Sequence, residues 1–201
     1  MGDTLNFLLT TGGDTFDFNS GTVPVGWDGG PGFTVGTVSC LPPNFPTPSL
    51  TLDFYFWAST VAAGVTPYIE TRALDVSTGG ILSFDMHYAI QRGTSPCEGP
   101  DLPNEGVMLQ YQTPSMGGNW DTLPVPTSIN PTGMGYWDPR GGGRTGPPYP
   151  WPFTGAWHTL SLPIPAVAQS TATRFRWIQF VTSGPCCDNW DWITSSSQVL
   201  L

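Results

Sequence analysis

Proton-transfer chemistry in this chain would have to be built from two histidines, His87 and His158, and fifteen carboxylates. Neither histidine sits in a recognisable nucleophile motif, and Gly-x-Ser-x-Gly, His-Glu-x-x-His and Gly-x-x-x-x-Gly-Lys patterns are all missing. Asp53, Asp85 or Glu105 could supply a carboxylate pair for glycoside hydrolysis. That reaction depends on a fixed separation between two carboxyl groups, which nothing in their spacing sets. The expectation is therefore a protein that is not an enzyme. The four cysteines, Cys40, Cys97, Cys186 and Cys187, allow three pairings. A bond between the adjacent Cys186 and Cys187 would be strained, so at most one of them is expected to bridge elsewhere, to Cys40 or Cys97. Their spacing makes no convincing zinc site.

Aromatic chemistry is better supplied. Nine Trp are present, and Trp27, Trp137 and Trp151 stand near loops, where a flat ring offers contact area to a sugar or a protein at low entropic cost. Trp120, Trp177 and Trp190 stand in or beside predicted strands and are expected in the core. Arg174 and Arg176 alternate with Phe175 and Trp177, a spacing that places both guanidinium groups on one sheet face to form ion pairs or to lie over aromatic rings. The segment 128–153 contains Gly141-Gly142-Gly143 and the run Pro147-Pro148-Tyr149-Pro150-Trp151-Pro152. Pro lacks the ladder donor, so this arm cannot pair in the middle of a sheet. Arms of this length inside compact domains are more often functional or disordered than idle. Tyr136, Trp137, Arg140, Arg144, Tyr149 and Trp151 are its candidate partner-binding residues.

Composition excludes several partners. All six cationic side chains are Arg, and the formal net charge is −9. A phosphate backbone needs a basic stripe to displace its counterions, so nucleic acid is a poor partner. No run of about 18 apolar residues exists to span a membrane as a helix, and membrane insertion is not expected. The first residues show no basic n-region followed by a long apolar stretch, so no export signal is expected there, and Asn6 breaks the myristoylation pattern. Aromatics recur from Phe16 to Trp192, which argues for a packed core and against disorder.

The elements that must position these groups read as β throughout. Helical periodicity is missing, and Gly or Pro recurs every ten residues or so. Strands are predicted at 15–18, 32–38, 49–57, 66–74, 80–90, 106–112, 120–123, 157–162, 173–181 and 191–194, with 95–104 as a loop. Leu82, Phe84, Met86 and Tyr88 share one face, and Ser83, Asp85 and His87 the other; Val107, Leu109 and Tyr111 alternate in the same way. About ten such strands make two packed sheets. The fold class expected is all-β, a two-sheet antiparallel β-sandwich of jelly-roll type. Residues 15–201 form a single domain, preceded by an N-terminal docking segment at 1–14 and carrying the inserted arm 128–153.

Several landmarks occur in a set order: Asp17-Phe18-Asn19 with Trp27, Cys40, Ser49-Leu50-Thr51-Leu52, Thr71-Arg72-Ala73-Leu74-Asp75, Gly80-Ile81-Leu82-Ser83-Phe84, Glu105 to Gln112 with Asn119-Trp120, Thr173 to Gln179, and Asp188-Asn189-Trp190. From about Phe16 to Ile193 this order resembles a subrepeat of reelin, an extracellular-matrix family of jelly-roll sandwiches built for binding and spacing. The resemblance implies structural calcium, with Asp17, Asn19, Asp188 and Asp191 as its ligands, since a hard cation gathers loop oxygens. The closing motif departs from the family's: an Asp-Asn pair is expected shortly after the Trp, and the chain reads Asp191-Trp192-Ile193-Thr194.

Together these features predict a non-catalytic structural or binding module. The first expectation is a virion surface protein, a decoration or fibre-associated component. It would be oligomeric in that setting and would dock through 1–14 or the 128–153 arm to other structural proteins of the same assembly. The alternative is an extracellular, secreted adhesion or carbohydrate-binding module whose loop aromatics grip glycans.

Overall fold

The computed structural model describes residues 22–31, 33–36, 55–58, 66–88, 90–91, 98–99, 106–124, 158–180 and 190–193. Twelve strands lie within them: β1 Asp28–Gly29, β2 Phe33–Gly36, β3 Tyr55–Ala58, β4 Tyr68–Glu70, β5 Ile81–Tyr88, β6 Ile90–Gln91, β7 Glu98–Gly99, β8 Met108–Gln112, β9 Asp121–Thr122, β10 His158–Pro163, β11 Arg174–Ile178 and β12 Trp190–Ile193. The only helical turns among the described residues are two single turns of 3-10 type, Pro114–Met116 and Ala166–Ala168. The all-β, two-sheet antiparallel architecture predicted from the alternation is the one observed.

The first sheet runs in the order β1-β4-β11-β8-β9 and the second in the order β10-β5-β12-β3-β2, all pairings antiparallel. Consecutive strands cross between them: β4 lies in the first sheet, β5 in the second, β8 and β9 in the first, β10 in the second, β11 in the first and β12 in the second. The inner faces follow from side-chain alternation. Leu82, Phe84 and Met86 of β5 are buried, and they face β10 in a register that sets Leu160 opposite Phe84 and Leu162 opposite Leu82. Between them on the outer face, the Ser83 and Ser161 hydroxyls share a 2.9 Å hydrogen bond. Opposite, β11 contributes Phe175 and Trp177, β4 contributes Ile69 and β8 contributes Leu109 and Tyr111, which join the β5 and β10 residues in one apolar cluster.

Among the described residues, a ring pair and a hydrogen bond link the layers within this cluster. The Phe84 ring meets Trp177 edge-on, with centroids 4.9 Å apart. Trp190 of the second sheet donates its indole N–H to the side-chain oxygen of Gln179, just beyond β11, at 3.0 Å, both residues being fully buried. A buried indole needs such an acceptor, and the bond fixes the offset of one sheet against the other.

Three features depart from the sequence reading. Asp28–Gly29, not predicted as a strand, pairs with β4 along the edge of the first sheet. Within the predicted loop 95–104, Glu98–Gly99 pairs in parallel with Ile90–Gln91. Trp27, read as a loop aromatic available to a ligand, is half-buried and packed against the core. The predicted strand 15–18, all four cysteines, the 1–14 segment and the 128–153 arm lie outside the described residues.

Candidate functional site

Antiparallel register places one residue from each strand of the first sheet in a single transverse row: Asp28 opposite Glu70, Glu70 opposite Arg176, Arg176 opposite Gln110, and Gln110 opposite Thr122. Every member is polar. The residues next to them along the strands, Ile69, Trp177 and Leu109, point into the core. The row therefore runs across the outer face of the sheet, and Tyr68, Met108, Gln112 and Arg174 lie beside it with the same alternation. Ile178, opposed to both Tyr68 and Met108, closes one side of this face with a buried apolar side chain.

Arg176 organises the face. Its Nε–H donates to Gln110 Oε1 at 3.1 Å, and its Nη2 donates to the same oxygen. The Trp120 ring lies 4.2 Å from the guanidinium carbon and the Tyr68 ring 5.9 Å from it. A planar cation gains from contact with both ring faces. Gln110 is fixed in turn: its amide donates to the Met108 sulfur at 3.6 Å, and that sulfur also accepts from the Thr122 hydroxyl at 3.3 Å.

The two rings are positioned by local turns. Trp120 follows the connection from β8 to β9, where Gly117 and Gly118 both adopt positive φ, 60° and 92°. Gly118 also accepts the Gln112 side-chain amide at 2.7 Å. Glycine takes this backbone at no steric cost, and the tight turn folds Trp120 back over β11. Tyr68 packs directly on Gly30, where a Cβ would run into its ring. Its hydroxyl donates to Asp28 at 3.0 Å.

Electrostatics follow from partial burial. Burial raises the Glu70 carboxyl above the usual range, and this outweighs the opposing pull of Arg174, whose Nη1 lies 2.6 Å from Glu70 Oε1. Burial also pulls the Arg176 pKa down, while the Glu70 charge pushes it back up. Burial, then the bond to Asp28, raises the Tyr68 phenol, so it remains a donor. Arg174 is held further by its Nε–H bond to the Thr71 carbonyl at 3.3 Å. The result is a half-buried platform of rings, amide and ion pair, held in place before any ligand arrives. Such a surface can stack against a flat ligand and exchange hydrogen bonds with its edge groups.

Arg174 forms an ion pair and Arg176 lies over rings, in line with the expectation that these two residues would form ion pairs or lie over aromatic rings on one sheet face. Trp177 and Trp190 are core residues as predicted. Trp120 is not: it is half-buried on the outer face, because the turn before it reverses the chain and a two-residue strand after it gives no alternation to read. The candidate partner residues Tyr136, Trp137, Arg140, Arg144, Tyr149 and Trp151 lie outside the described residues, as do Asp17, Asn19 and Asp188 of the candidate calcium set. Asp191 is placed by its backbone in β12, opposite Trp57 and His87. Among the described residues no three His, Cys, Asp or Glu side chains gather as a cation site.

The model of the family described as Reelin subrepeat B matches residues 57–193. No curated protein matches the chain. Among solved structures, one similar fold is a carbohydrate-binding module of the β-sandwich superfamily described for promiscuous specificity, 15% identical with TM-score 0.46; the match covers 92% of this chain and 61% of that one. Another is a carbohydrate-binding module specific for non-crystalline cellulose, 14% identical with TM-score 0.48, covering 91% of this chain and 93% of that one. The chain thus spans less than two thirds of the length of the first of these structures.

Proposed function

The chain belongs to the reelin subrepeat B family, and we propose that it is a non-catalytic binding module that holds a glycan on the outer face of its first sheet. The observation that carries this reading is the arrangement around Arg176. Two half-buried rings flank a guanidinium whose side edge is locked to Gln110, within a row of polar side chains five strands wide. Sugars present apolar C–H faces to rings and hydroxyls to fixed amides and carboxylates. A surface already held in place loses little entropy on binding. The virion surface reading would dock through segment 1–14 or arm 128–153, both outside the described residues, whereas the glycan reading draws on side chains within them.

A glycan array probed with wild type and with Trp120→Ala tests the proposal. Wild type should bind a subset of saccharides, and the variant should lose that binding while keeping its cooperative thermal unfolding. Trp137→Ala and Trp151→Ala, on the same array, report whether the arm contributes. If wild type binds no saccharide, or Trp120→Ala binds unchanged, the proposal fails.

A further inference from the structure

The guanidinium of Arg176 is only half used. Its side edge, Nε and Nη2, is spent on the neutral oxygen of Gln110. The end edge, Nη1 with the second N–H of Nη2, has no acceptor among the described residues. No carboxylate of the described residues lies within ion-pair distance of Arg176 either, since the nearest candidate, Glu70, is engaged by Arg174 at 2.6 Å. Arg176 is nonetheless half-buried, and burial already works against its charge. A partly desolvated cation with a free two-donor edge is matched geometrically by a carboxylate, which can accept both N–H groups at once.

We infer that the ligand of this face is an acidic saccharide, and that the end edge of Arg176 receives a uronate carboxylate while Trp120 and Tyr68 flank the pair. The inference rests on the glycan-binding reading above and narrows it to a substrate class. The rest of the molecule constrains the ligand's charge density. With a net charge of −9, the chain repels a densely charged polyanion at long range, so a saccharide with sparse carboxylates suits it better than a heavily sulfated one. Asp28, exposed at the end of the same row, is placed to accept hydroxyls rather than acidic groups. Arg176 thus acts as the specificity-determining residue, and the rings act on acidic and neutral sugars alike.

The test compares a hyaluronan tetrasaccharide, with one carboxylate per disaccharide, with its carboxyl methyl ester, which keeps the rings and hydroxyls and removes the charge. By calorimetric titration, wild type should bind the free acid roughly tenfold or more tightly than the ester, the size of one charge-assisted two-point contact. Arg176→Gln should abolish that preference, and Trp120→Ala should weaken both forms. The acid–ester comparison on wild type needs no variant to fold. Equal affinity for acid and ester overturns the acidic-ligand inference but leaves the glycan-binding reading intact. Failure to bind either form overturns the inference, and the neutral saccharides of the array then decide the broader reading. Retention of the preference in Arg176→Gln places the carboxylate elsewhere and also overturns it.

Discussion

The rings of Phe84 on β5 and Trp177 on β11 pack in a T-shaped pair, with centroids 4.9 Å apart and planes at 75°, and both side chains are fully buried. This pair is a direct side-chain link between the two layers at the centre of the core, and Trp177 also sits next to Arg176 in sequence. Deleting either ring leaves a cavity that rigid sheets cannot close. Phe84→Ala should therefore cost about 3–5 kcal/mol in chemical denaturation. A loss below about 1 kcal/mol would mean that the sheets are not joined there.

Gly30→Ala separates shape from chemistry on the outer face. The added Cβ would overlap the Tyr68 ring, which must swing away and give up its bond to Asp28 and its place near Arg176. Overpacking of this kind costs about 1–3 kcal/mol. Thermal melting should show a loss of that order, and titration should show weakened ligand binding although no ligand-contacting atom has been removed. Unchanged affinity would place the ligand away from Tyr68.

Arg176→Lys keeps the charge and removes the fork. A lysine ammonium cannot give Gln110 Oε1 two N–H groups or lie flat against Trp120. The variant should lose about 1–2 kcal/mol, because Gln110, only 7% exposed, is left under-bonded. Denaturation with an unchanged slope is the measurement, and wild-type stability in this variant would show that the charge alone matters.

Glu70 gives the fold a pH signature. Its folded-state pKa is raised above the ordinary 4.5, with burial as the leading cause. The unfolded carboxyl releases its proton first as pH rises, so the folded form holds more protons in the window above 4.5 and stability falls with rising pH there. The favourable contribution is complete below 4.5 and disappears as pH passes through the raised value. Measured across that window, Glu70→Gln should lack this decline and gain on wild type as pH rises. Parallel curves for the two proteins would contradict the assignment.

Legibility in the sequence followed strand length. β5 and β11 are long enough for a two-residue period to declare itself, so Leu82, Phe84 and Met86 inside and Arg174 and Arg176 outside were readable. The reelin subrepeat resemblance, carried by the order of short landmarks, holds over residues 57–193. The two-residue strands at Asp28 and Glu98 carry no period, so neither is legible as a strand; the one at Asp121 falls inside the strand predicted at 120–123, but it is too short for alternation to assign its faces. The platform itself was only partly visible. Its guanidinium groups announced their face, but Trp120 reaches it through a glycine turn, and the Tyr68–Gly30 contact joins residues 38 positions apart through pairing that no local pattern encodes. Tryptophan is buried so often that the default reading placed Trp120 in the core.

Amide and side-chain NMR perturbation, recorded while the best-binding saccharide from the array is titrated into wild type, tests most directly whether the outer face of the first sheet is the binding face. The largest shifts should fall on Tyr68, Gln110, the Trp120 indole and the Arg176 Nε–H, with Ser83 and Ser161 on the outer face of the second sheet unmoved. Shifts centred on Ser83 and Ser161, or confined to residues 128–153, would contradict it.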